Sequence, residues 1–209
     1  MNHLNRILPL KARQDALSRP LVALHWDILA AYVTIGRTLN RDEIAQRVAD
    51  VDEAVQILKQ SDLVVFNEHG EPIGAYPFTM EPREYQLTVK GHQVHCMCAL
   101  DALAVSPMFD VALEIKSTCR VTGEAITLKQ KRFDILNASE VQDLFFGINW
   151  NAASSSSCCA DTLCTEMIFL KGDAVAHDWR DEDPENKQIF ALNEAIEFAA
   201  RFFMPLVVK

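Results

Sequence analysis

Apolar residues recur at helical spacing across residues 20–35, PLVALHWDILAAYVTI, and the pattern predicts one long helix that Gly36 ends. The following stretch, LNRDEIAQRVADVDEAVQILKQSDLV, offers Asn40 as an N-cap, a short helix to about Val48, a break, and a second helix through Gln60. Two extended apolar runs in LVVFNEHGEPIGAYPFT then flank Glu68 to Pro72, with Gly70 and Gly74 as punctuation, which is a hairpin signal. Three helices followed by a hairpin give residues 1–82 a winged-helix-like order.

Residues 83–209 read as a second unit, a mixed or antiparallel sheet flanked by helices, so the class expected for the chain is α+β. EYQLTVK (84–90) alternates as a strand, Gly91 breaks it, and His92 to Leu103 reads as a helix that ends before Pro107. FDVALEIKS and EAITLKQKR read as strands around a turn at Thr122 and Gly123, and LFFGINW and EMIFL as buried strands. NKQIFALNEAIEFAARFFMPL has helical periodicity with a broad apolar face and reads as one closing helix. Between LFFGINW and EMIFL, NAASSSSCCADTLC is small and polar, with four consecutive serines, and reads as a loop.

Composition narrows the function classes. With 49% hydrophobic and 23% charged residues over 209 positions, the chain can build a real core. No run approaches the roughly 18 apolar residues of a membrane span, and Met1 to Leu10 lacks the basic start and apolar stretch of a secretory signal, so a cytoplasmic location is expected. The formal charge of -9 repels phosphate backbones, and the second short helix carries Asp52 and Glu53 with only Lys59 to offset them. A winged helix used for packing is therefore favoured over one that binds DNA. Six cysteines are many for a reducing compartment, and their spacing follows neither CxxC pairs nor a zinc-finger pattern. Thiol chemistry is left open.

HCMCALDALAV (95–105) places two cysteines and an aspartate in an otherwise apolar stretch. Cys98 and Asp101 are three apart and would share a helix face, where the carboxyl can accept the thiol proton or pass one on. The dipole at the helix start would lower the thiol pKa. Buried cysteine is commonly just a small core residue, but a carboxylate among Ala99, Leu100, Ala102 and Leu103 needs water, a cap or a partner. Cys96 points to another side of the expected helix and reads as packing, and Cys119 in its strand turn reads as packing or hydrogen-bonding locally. His95 points away from Cys98 and reads as solvated or packed. Cys158, Cys159 and Cys164 lie in or beside the serine loop, where thiols facing Cys98 would form a site for soft metals such as Cu(I), Hg(II) or Zn(II).

CALDAL, the later TCRVTGEAITL from Thr118, and a cysteine before an apolar strand and then His177-Asp178-Trp179 resemble the bacterial organomercurial (alkylmercury) lyases. Together with the winged-helix-like order ahead of them, the likeness runs over nearly the whole chain from about residue 20. It implies cleavage of carbon–mercury bonds by two cysteines and one aspartate, of which Cys98 and Asp101 match the first cysteine and the aspartate directly. Counting back from Asp178-Trp179 without a gap places Cys164 on the second cysteine. Cys158 and Cys159 are then an addition in the preceding loop and further candidate metal ligands. Cys119 matches a family cysteine held to be structural, and His177 and Trp179 look like a packing pair at a helix start, with Asp178 an alternative N-cap.

The resemblance also implies an organomercurial substrate and two products, a hydrocarbon and Hg(II). Cys98, Cys164 and Asp101 would hold the Hg(II) until low-molecular-weight thiols or a mercuric reductase remove it. No organic cofactor is required, Cu would bind only adventitiously, and neither nucleic acid nor membrane is an expected partner. The rival expectation is a thiolate protein that binds or senses Cu(I) or Hg(II) on the same fold without cleaving anything.

Overall fold

Two short helices, α1 (Asn2–Ile7) and α2 (Leu10–Asp15), precede the first predicted element in the computed structural model of the chain, which describes residues 2–153 and 162–207. They bury Leu4, Leu8 and Leu10, and Gln14 ties them to the far end of the chain by donating from Nε2 to the Leu206 carbonyl at 2.8 Å. α3 (Arg19–Ile35) is the long helix the spacing predicts. Pro20 sits in its first turn, where a missing N–H is tolerated, and Gly36 ends it in the left-handed conformation at φ 72°.

Asn40 starts α4 (Arg41–Ala45) through a reciprocal cap: its side chain accepts from the Glu43 N–H at 2.8 Å, and the Glu43 carboxylate accepts from the Asn40 N–H at 2.8 Å. Asp50 starts α5 (Val51–Gln60) by accepting from the Glu53 N–H at 2.9 Å. The predicted hairpin follows as β1 (Val64–Phe66) and β2 (Pro72–Ala75), and β3 (Phe78–Thr79) extends it.

The stretch expected to be one helix from His92 to Leu103 is instead two elements. Lys90 and Gly91 both adopt positive φ, 47° and 83°, and turn β4 (Tyr85–Val89) directly into β5 (His92–Cys96), with Val89 opposite His92. Positive φ at both central residues is the two-residue hairpin turn that matches strand twist. Gly91 therefore reverses a strand rather than breaking one. The helix, α6 (Ala99–Phe109), starts later and runs through Pro107. Proline removes the N–H that would bond Leu103, and that carbonyl instead accepts from Gln130 Nε2 at 3.0 Å.

β6 (Ala112–Thr118) and β7 (Ala125–Lys131) form as predicted around a turn with Gly123 at φ 72°, and β8 (Asp134–Ile135) pairs with β7. β9 (Leu144–Asn149) and β10 (Met167–Lys171) are the two buried strands, followed by α7 (Asp173–Asp181). The expected single closing helix divides into β11 (Lys187–Ala191) and α8 (Leu192–Phe203), because the second edge of β9 takes Lys187–Ala191 as a partner. α7 starts at Asp173, so His177–Trp179 lie in its second half and not at a helix start.

Among the described residues two antiparallel sheets result, β1-β2-β3-β5-β4-β6-β7-β8 and β10-β9-β11, so the class is α+β. β3 pairs with β5 and joins strands from either side of residue 82. α6 lies where the sheets meet, packed on β4 to β7 of the larger, on β10 of the smaller and on α8. Every residue from Ala99 to Met108 is buried, which suits a helix apolar on all sides. Asp101 is the one carboxylate within it.

Candidate active site

The connection from β5 to α6 sets the first half of the site. β5 ends at Cys96, and Cys98 is the N-cap of α6, with extended dihedrals (φ −152°, ψ 178°) rather than helical ones. Its Sγ accepts from the Asp101 N–H at 3.4 Å, in the place a serine or aspartate oxygen takes in a stronger cap. The cap geometry, not a shared helix face, brings the thiol over the first turn and beside the Asp101 carboxyl.

Cys164 comes from the other sheet. It lies in a 3-10 turn, Leu163–Glu166, that leads into β10. The turn is held by the Thr165 N–H and hydroxyl, both donating to the Thr162 carbonyl at 3.1 and 2.6 Å, and by Arg120, whose Nη2 donates to the Thr165 carbonyl at 2.9 Å. Arg120 also donates its backbone N–H to the Phe169 carbonyl at 3.0 Å, so the β6–β7 turn clasps the start of β10.

Cys98, Asp101 and Cys164 converge: one ligand atom from each lies within 4.8 Å of the others, and all three residues are 1–2% exposed. Burial dominates the electrostatics of Cys98 and Asp101. It pushes the Cys98 thiol up to about 12, aided by the Asp101 charge and opposed by a hydrogen bond with Cys164. The lowering expected from the helix start is overturned, because removing a thiolate from water outweighs a partial charge at a helix end. Burial also raises the Asp101 carboxyl to about 7, with hydrogen bonds from Cys98 pulling the other way. Asp101 Oδ2 has no hydrogen-bond partner among the described residues. A buried unpaired oxygen costs free energy, so a group donated by a ligand would be well received there.

The other sequence candidates among the described residues stand apart from this group. Cys96 is fully buried in β5 opposite Phe78 and Tyr85, and burial raises its thiol well above the ordinary range. Cys119 is buried in the β6–β7 turn and its Sγ accepts from the Lys171 N–H at 3.3 Å. Burial opposes its ionisation, but that bond and others from Thr122 and Val121 together lower its pKa. His95 Nδ1 bonds the Arg83 carbonyl at 2.9 Å, and His177 Nδ1 bonds the Asp173 carbonyl at 2.8 Å. Trp179 packs against Gly147 and beneath the Lys187 ammonium, 4.7 Å from the ring centroid. Cys158 and Cys159 lie outside the described residues.

Two neighbours of the site carried no legible signal. Met167 sits inside EMIFL, where it reads as one more core residue, yet the Cys98 thiol donates to its Sδ at 3.7 Å. Arg120 is one cation in a polar turn, and its hold on the Cys164 turn joins residues 45 apart in sequence. Two sulfurs favour a soft metal, and a carboxyl poised near neutrality beside a thiol can move a proton.

Comparison with known proteins places the chain in a family. The family model described as MerB, alkylmercury lyase, matches residues 78–204. An alkylmercury lyase of Bacillus cereus and another of Clostridium butyricum are each 27% identical to the chain over 147 residues, 70% of this chain and 65% of theirs. The matched stretch thus spans a little under two thirds of those relatives. The crystal structure of the mercury-bound form of MerB2 shares the fold with a TM-score of 0.77 at 17% identity, each chain covered completely.

Proposed function

The chain belongs to the alkylmercury lyase family, and from that premise we propose that it cleaves carbon–mercury bonds by protonolysis with Cys98, Asp101 and Cys164. The observation that carries the reading is the meeting of two sulfurs and one carboxyl within 4.8 Å in a buried site. Soft thiolates bind mercury, and the carboxyl supplies the proton that carbon requires.

In this mechanism the Cys164 sulfur displaces the counter-ligand X of R–Hg–X, its thiol proton leaving with X as HX, and holds R–Hg as a thiolate. Cys98 starts as a thiol, consistent with its raised pKa, and passes its proton to the Asp101 carboxylate as its sulfur closes on mercury. Asp101, near 7, then delivers that proton to the carbon as the carbon–mercury bond breaks. One Cys98 proton ends on the hydrocarbon, Asp101 returns to carboxylate, and Hg(II) remains on two thiolates. Small thiols or a mercuric reductase would take it onward. No organic cofactor enters, and the winged-helix-like segment, 1–82, serves packing rather than nucleic-acid binding, in keeping with the net charge of -9.

The test is hydrocarbon release. Purified protein with methyl- or phenylmercury and excess thiol is expected to give methane or benzene over repeated turnovers. Stoichiometric retention of metal without hydrocarbon, in folded protein, would instead select a soft-metal binding or sensing protein.

A further inference from the structure

The site contains a third sulfur. Met167 opens β10 three residues after Cys164, is 2% exposed, and presents its thioether to the Cys98 thiol at 3.7 Å. Its backbone is fixed from two directions, by pairing with Ile148 in β9 and by the Tyr85 hydroxyl, which donates to the Met167 carbonyl at 3.3 Å. Packing alone would be met equally well by leucine, since unbranched and γ-branched apolar side chains of similar volume exchange at small cost. What methionine adds is a polarizable lone pair, which suits soft metals.

We propose that Met167 is a third soft contact for mercury, completing with Cys98 and Cys164 a three-sulfur site. The identity of the metal rests on the lyase reading. A thioether carries no proton and no charge, so it binds without a deprotonation step and leaves the Cys98–Asp101 proton inventory unchanged. In the resting protein its Sδ lies 3.7 Å from the sulfur of the Cys98 thiol, whose proton also bonds the Asp101 carboxyl. When that proton has left and the Cys98 sulfur has turned to the metal, the Met167 lone pair faces the ion held between the two thiolates. A neutral third donor retains Hg(II) after the hydrocarbon departs, and holds it less firmly than a third thiolate would, so that exogenous thiols can extract it.

The full chain with its six methionines replaced by selenomethionine, loaded with one equivalent of HgCl2, gives a direct reading at the selenium absorption edge. A selenium–mercury scattering path is expected in the parent chain and absent in Met167→Leu. Met167→Leu is also expected to surrender Hg(II) to dithiothreitol at about tenfold lower competitor concentration, with an unchanged circular dichroism spectrum. Absence of the path in the parent chain, or its persistence in Met167→Leu, overturns the proposal. Neither readout needs carbon–mercury cleavage. Hg(II) bound without a selenium path, alongside benzene release from phenylmercury, rejects the third contact and keeps the lyase reading, whereas a selenium path without benzene release does the reverse.

Discussion

Cys98 and Asp101 sit where a strand and a helix each dictate the backbone, with β5 paired on both sides up to Cys96 and α6 buried from its first residue. Cys164 sits in a four-residue 3-10 turn, positioned by a few bonds that include one from Arg120 of the other sheet. The first half of the site is thus fixed by regular structure and fully desolvated, which is what displaces both pKa values. The second half depends on contacts between segments far apart in sequence. Proton chemistry needs a constant environment, and it lies on the half whose surroundings are set by the core.

Removing a sulfur from either half should have the largest effect. Cys98→Ser and Cys164→Ser are each expected to lower kcat/KM for phenylmercury by about 10³-fold or more, as when one member of a group acting as a unit is lost. Equal losses would show that the two halves act together. A Cys164→Ser enzyme retaining most activity would break the account of that half.

Asp101→Asn separates catalysis from stability. Loss of the proton carrier should lower kcat by about 10²- to 10⁴-fold. The folded carboxyl titrates at about 7 against an ordinary 3.8, so the folded chain binds this proton more tightly than the unfolded chain. Its contribution favours folding fully below about pH 4 and is lost as pH rises through 7, at about 4 kcal/mol in all. Asp101→Asn should therefore be more stable than the parent by a few kcal/mol at pH 8 and nearly equal to it at pH 4, measured by urea unfolding. In the parent, kcat/KM should rise as pH increases through about 7, where the carboxylate that accepts the Cys98 proton forms, and this limb should flatten in Asp101→Asn.

Arg120→Gln addresses chiefly the second half, although Arg120 also pairs with Glu84 at 3.7 Å. It removes the 2.9 Å bond to the Thr165 carbonyl, and a small displacement of the Cys164 sulfur should lower kcat by about tenfold to a hundredfold. The Cys98 alkylation rate in the absence of mercury should stay unchanged, because the β5–α6 junction is untouched. The smallest effect belongs to a position distant from both halves: Asn40→Ala, losing the α4 cap, should cost about 1 kcal/mol of stability with no change in kcat/KM.

The difference between the halves also governed what could be read from the chain. Cys98 and Asp101 are three residues apart and their relation is local, so CALD carried it, although through an N-cap instead of a helix face. The Lys90-Gly91 turn was hidden because a glycine after a strand reads equally as a break and as a reversal, and only the pairing of β5 with β3 and β4 decides. The helix through Pro107 depends on Gln130, 27 positions from the Leu103 carbonyl it satisfies. Lys187–Ala191 has helical periodicity, and the open edge of β9 overrides it. Helices α1 and α2 are too short for a periodic signal. Cys164 is legible through family likeness and not through its own surroundings, and no local pattern reveals Met167 or Arg120 beside the site.

Whether the chain cleaves the carbon–mercury bond is read in a single turnover. The full chain is mixed with a substoichiometric amount of phenylmercury, and benzene and protein-bound Hg(II) are quantified together. One benzene is expected for each Hg(II) retained, with release abolished in Cys98→Ser and slowed in Asp101→Asn. Phenylmercury held intact by folded protein, with no benzene formed, would contradict the lyase reading.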